Sequence, residues 1–178
     1  LIAAHGLNKP GVAKPAGMQS RVFLARNADP VRDVVFSARD RTDDAVQRIR
    51  AVRGPRFRYI RNFMPDHPFL APHRYKEARF PVVPLLRTLQ AEGKLTGPPL
   101  ALVATRLPDE ELYDTAADPY EIHNLIASDA PDHQRVLREM RAMLDSWIVE
   151  TNDHGRTPEP AEVVEFWRDE ARKMFPLH

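Results

Sequence analysis

The sequence predicts an α+β fold: a small antiparallel β-sheet of about four strands, packed by a long C-terminal amphipathic helix and preceded by a Gly/Pro-rich linker. Three observations predict it. Residues 47–62 alternate apolar and charged residues around Gly54-Pro55, as an antiparallel hairpin does. Val136, Leu137, Met140, Met143, Leu144, Trp147 and Ile148 recur at spacings of three and four, as one face of a helix does. Short β-branched or aromatic runs stand apart, each ended by a turn-forming cluster.

Taken in order, residues 6–20 carry Gly6, Pro10, Gly11, Pro15 and Gly17, which sustain neither helix nor strand. Residues 1–20 are therefore expected to be a linker, with Leu1–Gly6 reading as the tail of a preceding helix and hence as internal. Val34-Val35-Phe36 suits a strand, closed by the polar cluster Arg39–Asp44. The hairpin follows, with Gln47–Arg53 and Arg56–Asn62 as its arms. Residues 63–75 hold Pro65, Pro68 and Pro72 without periodicity, and read as an extended surface loop.

Leu85, Leu86 and Leu89 predict a short helix within 83–95, closed by Gly93 or Gly97. Glu111–Asp114 reads as the last strand, and Ala117–Tyr120 as a turn. Ser128 or Asp129 is expected to cap the long helix, with Pro131 in its first turn. Trp147, Met140, Met143 and Tyr113 are expected in the core. The tail, 156–178, holds one further short helix within 161–174.

The chain has 26 basic against 25 acidic residues, a net charge of +1, so no global field argues for nucleic acid or an acidic membrane. Aromatic interleaving in the arginine-rich hairpin is sparse, and no nucleic-acid partner is expected. No apolar run approaches the roughly 20 residues that span a bilayer, so no membrane partner is expected either. With no cysteine, thiol catalysis, disulfides and thiolate metal sites are excluded. The seven histidines show no zinc-binding spacing.

Glu111-Leu112-Tyr113-Asp114, Asp118-Pro119, Glu121 and Asn124-Leu125 resemble the C-terminal signature E-L-Y-D-x-x-x-D-P-x-E-x-x-N-L of the sulfatases, a family of the alkaline-phosphatase-like superfamily. Residues 48–53 with 58–62 are similar to the hairpin R-A-V-R-x-x-R-[FY]-K-Y-I-x-N of that family. Met18–Leu24 resembles its M-Q-G-R-S-F-L segment, with Ser20 in place of glycine, and Trp147, Glu150, Thr151 and Asp153 resemble the ending of the heparan N-sulfatase-like branch. The resemblance implies a sulfatase C-terminal subdomain over 21–155, whose partner is a missing N-terminal catalytic domain.

In that family a formylglycine made from C/S-x-P-S-R, beside a calcium ion, hydrolyses sulfate esters or sulfamates. No C/S-x-P-S-R occurs here, so no catalytic residue and no metal ligand is carried over. By resemblance, calcium and formylglycine are cofactors of the parent, its substrate is a sulfated sugar or aryl sulfate, and secretion or a periplasmic site is suggested. The rival reading is a non-catalytic anion-binding or structural module.

Candidate substrate contacts come from charge pattern. Arg39, Asp40 and Arg41 stand at a strand end, where Asp40 is placed to orient its flanking arginines, though an ordinary surface ion pair reads as well. His73 and Arg74 stand in the proline-rich loop, where a plain surface histidine is the alternative. Six arginines between 48 and 61 suit sulfate or carboxylate, or simply coat a solvated outer face. A chain of this kind is expected to expose apolar surface and to self-associate.

Overall fold

The structure, a computed structural model, describes Arg21 and residues 28–176. The chain divides into two compact units, Leu1–Asp33 and Val34–His178. The linker expected over 1–20 lies outside the described residues. The second unit carries the secondary structure discussed below.

Four strands, β1 (Val35–Arg39), β2 (Ile49–Arg53), β3 (Phe57–Asn62) and β4 (Glu110–Asp114), form one sheet in sequence order. Every neighbouring pair is antiparallel. Gly54 closes the hairpin by donating its N–H to the Phe57 carbonyl at 2.9 Å. Between β3 and β4 the chain makes three short helices, α1 (Arg74–Arg79), α2 (Val82–Ala91) and α3 (Pro99–Val103). Gly93 ends α2 region with a φ of +67°, a left-handed conformation that suits glycine. The long helix α4 (Pro131–Glu150) follows β4, then a 3-10 turn (His154–Arg156) and α5 (Ala161–Met174).

The core forms where α4 covers one face of the sheet. Phe36, Val52, Tyr59 and Leu112 are successive partners across the four strands and make one rung of that face. Val136, Leu137, Met140, Leu144 and Ile148 descend on it from α4. Trp147 stacks on Phe36 with ring centroids 5.2 Å apart. Met143 departs from expectation: it is 40% exposed, because the helix's apolar stripe is wider than the surface the sheet offers.

The signature residues act on backbone. Asp118 accepts N–H groups from Ile122 and His123, both at 2.7 Å. Asn124 Oδ1 accepts from Leu112 and Ile126 at 3.0 Å, and its amide donates to the Glu110 carbonyl at 3.3 Å. Asn124 thus serves the free edge of β4 as a neighbouring strand would.

Two expectations need correction. Neither Ser128 nor Asp129 caps α4; the cap position is Ala130, without a side-chain bond, and Pro131 opens the helix. Ser128 lies two residues too early, and its hydroxyl meets His133 Nδ1 at 2.7 Å instead. Residues 63–75 are not simply a surface loop, since His73 is only 3% exposed and Arg74 begins α1.

Arg50 lies on the helix-facing side of the sheet, in line with Val52, and is 0% exposed. Asp153, just past α4, receives Nε at 2.8 Å and Nη2 at 3.0 Å, and Asp40 adds a contact at 2.9 Å. This forked pair joins the segment after α4 to the sheet. At Gly155 a Cβ would stand 1.4 Å from Arg50 Nη2, so only glycine fits there with the pair intact.

Two outcomes follow from this packing. Leu144→Ala removes a side chain with no exposure from the core and is expected to cost about 2–5 kcal/mol in urea unfolding. Hydrogen bonds from Arg50 hold the Asp153 carboxyl below the usual carboxylate range. Its contribution to stability is therefore present above about pH 4 and is lost as pH falls through the lower folded pKa. Asp153→Asn is expected to cost about 3 kcal/mol at neutral pH, by leaving a buried guanidinium with Asp40 alone, and to flatten the acid limb of the stability–pH curve.

Candidate functional site

The loop after β1 is shaped by a tight turn in which Thr42 and Ala45 exchange backbone hydrogen bonds, each 2.9 Å. Asp43 takes a φ of +50° there, a conformation that aspartate tolerates. Asp44 then accepts the Arg74 backbone N–H at 3.1 Å. Gln47 Nε2 donates to the Pro68 carbonyl at 2.6 Å. His67 Nδ1 lies 3.1 Å from the Val46 carbonyl, which can only accept, so that nitrogen carries the proton. These bonds stitch residues 42–47 to residues 67–74.

Two further links bring in the C-terminal segment. Arg48 Nη1 donates to the Arg156 carbonyl at 2.9 Å. Arg41 Nε donates to Glu159 at 2.8 Å, while its guanidinium lies 5.1 Å from the Trp167 ring centroid. The segments so joined bound a cleft of about 570 Å³ lined by Asp40, Arg41, Arg48, His67, Glu159 and Arg168, among others. A second cleft, about 390 Å³, is lined by Asp44, His67, Pro68, Pro72, Arg74 and Arg168 among its residues. The two share Val46, His67 and Arg168 and so adjoin.

Of the expected contact residues, Asp40 and Arg41 line the larger cleft and Arg74 the smaller. Arg39 does not join them. It belongs to the opposite face of the sheet, where its guanidinium lies 5.2 Å from the Phe69 ring centroid and lines another cleft with Arg58 and Tyr113. Successive residues of a strand point to opposite faces, which separates Arg39 from Asp40. Asp40 accordingly orients neither neighbour and pairs with Arg50 instead.

His73 is buried, with its ring nitrogens 3.6 Å from Asp43 and 3.5 Å from Asp44, too far for good hydrogen bonds. It underlies the loop instead of presenting itself. The hairpin arginines are engaged as well: Arg58 pairs with Glu121 at 2.7 Å, Arg56 with Asp114 at 2.6 Å, and Arg61 with Asp145. His67 and Arg168 were not selected from sequence. His67 resembles any loop histidine, and Arg168 reads as one of several charges on a helix; only tertiary contact joins them.

Among the described residues, no three His, Cys, Asp or Glu side chains gather as metal ligands.

No family model matches the chain. It is 37% identical over 150 residues to an ulvan-active sulfatase of Formosa agariphila, an alignment covering 84% of this chain and 25% of that protein. The chain therefore spans about a quarter of the length of the curated relative it matches. Its fold is similar to that of a solved 2-O GAG sulfatase, with a TM-score of 0.50 and 23% identity over 84% of this chain and 24% of the other. In sequence the chain is thus similar to part of a sulfatase, and in fold it is similar to part of a second one.

Proposed function

We propose that the chain is the C-terminal subdomain of a sulfuric ester hydrolase acting on sulfate esters or sulfamates. It packs on an N-terminal domain that supplies the formylglycine nucleophile and its calcium. Its own residues supply no nucleophile and no metal ligand. The carrying observation is the 150-residue relationship to a sulfatase of which the matched part is a quarter.

Contact with an anionic sugar is proposed for the loops after β1 and β3, through Arg41 and Arg74 at the cleft surface. Arginine suits this, because its planar fork matches sulfate and carboxylate oxygens. Arg39 would contribute only to a ligand reaching the opposite sheet face, and His73 only by supporting Asp43 and Asp44 from beneath. The second reading, a sulfatase-derived anion-binding or structural module without catalysis, draws on the core that the unit builds from its own residues.

Packing on another domain is supported by apolar side chains left in solvent around the sheet face away from α4, including Val35, Phe69 and Leu102, with Tyr120 84% exposed. Purified alone, the chain is expected to self-associate as concentration rises in sedimentation velocity; a monomer throughout would count against the packing proposal. The 178-residue chain is also expected to release no sulfate from an aryl sulfate or a sulfated oligosaccharide with calcium present, whereas the whole protein releases it. Release by the chain alone would overturn this reading, and inactivity of a whole protein carrying formylglycine would favour the module.

A further inference from the structure

The outer side of β1 is an open sheet edge. The strand pairs with β2 alone, and among the described residues its backbone bonds to nothing else except Arg50, which reaches the Arg39 carbonyl at 3.4 Å. In an antiparallel ladder alternate residues turn their N–H and C=O groups away from the neighbour, so such an edge is a template for another strand. The opposite edge differs, because Asn124 and the Leu125 N–H occupy the backbone of β4. β1 has little to repel an incoming strand: it holds no proline, and Arg39, drawn over Phe69, is its one charge.

The strand is complementary to itself. A two-fold axis normal to the sheet keeps every side chain on its own face, so it passes through a residue, and Ser37 is the middle of the strand. Antiparallel pairing about Ser37 sets Phe36 opposite the other copy's Ala38, on the face that α4 covers, and Val35 opposite Arg39 on the other face. A large ring thus meets a methyl group, and the one charge meets an uncharged side chain. A centre at Phe36 or Ala38 would pair only Val35–Ser37 or only Ser37–Arg39. Val35 is 48% exposed, and pairing about Ser37 brings it beside the Arg39 guanidinium over Phe69, itself 42% exposed, so apolar groups now in water are covered.

We propose that β1 docks against β1 of a second copy of this chain, joining two four-stranded sheets into one continuous antiparallel sheet. This docking differs from packing through the sheet face away from α4, which has no fixed register and sets no residue against its own copy.

Because the chain has no cysteine, single cysteines read the register. In the 178-residue chain Ser37→Cys, at an exposed position, is expected to give a disulfide-linked dimer under mild oxidation, since paired residues stand about 4.5–5.5 Å apart between Cα atoms, within disulfide reach. Val35→Cys is expected to link at least ~10-fold more slowly, its two copies standing roughly 13 Å apart, whereas Val35→Cys mixed with Arg39→Cys links readily. Val35→Lys sets like charges opposite each other twice per dimer and is expected to raise the dimer dissociation constant roughly 10-fold in sedimentation equilibrium. Adding Arg39→Glu to it is expected to restore the dimer; within one copy the two positions are too far apart along the strand to meet, so the rescue reports contact between copies. Equal linking of all the single-cysteine variants, no linked dimer from Ser37→Cys, or a Val35→Lys defect that Arg39→Glu leaves unrelieved would each overturn the docking.

Discussion

The buried guanidinium of Arg50 is the constraint on which the rest of this architecture turns. A charge on the helix-facing side of a sheet is tolerated only if its donors are matched, because an unpaired buried ion costs several kcal/mol. Asp153 supplies that match only when the chain leaving α4 turns back over β2. Gly155 permits the turn, since the guanidinium fills the space that a Cβ would need. The 3-10 turn and α5 follow from there, and with them one wall of the two adjoining clefts.

The other wall has a similar origin. Gln47 and His67 hold carbonyls and a ring across two loops, while Asp44 takes the first N–H of α1. Polar side chains thus do for these loops what ladder hydrogen bonds do for the sheet, giving their backbone groups partners away from regular structure. The result is a polar trough rimmed by arginines at one end of the sheet, while the apolar core lies beneath α4. Core and trough meet at β2, where Val52 serves the first and Arg50 ties in the second.

Periodicity made much of the fold legible. The hairpin around Gly54-Pro55, the strand ending at Asp114, the stripe of α4 and the tail helix all stand where alternation, helical spacing and turn chemistry place them. The signature turn was legible for the same reason: Asp118 and Asn124 bond to nearby backbone, a local matter. The candidate contact residues were legible only as charges. Nothing in Arg39-Asp40-Arg41 says that its middle residue faces a buried arginine ten positions on, or that Arg41 reaches Glu159.

The sequence by itself determined the α+β class, the order of elements and the relationship to sulfatases, because each rests on short-range pattern and on motifs that are contiguous in the chain. Only the tertiary structure decided which charged residues share a cleft. Arg74 and Arg168 are remote in sequence, and His73 and His67 share one loop yet part company, one buried and one at the trough. The physical reason is that ion pairing and burial depend on distance in space and on loss of water, and no linear spacing encodes either.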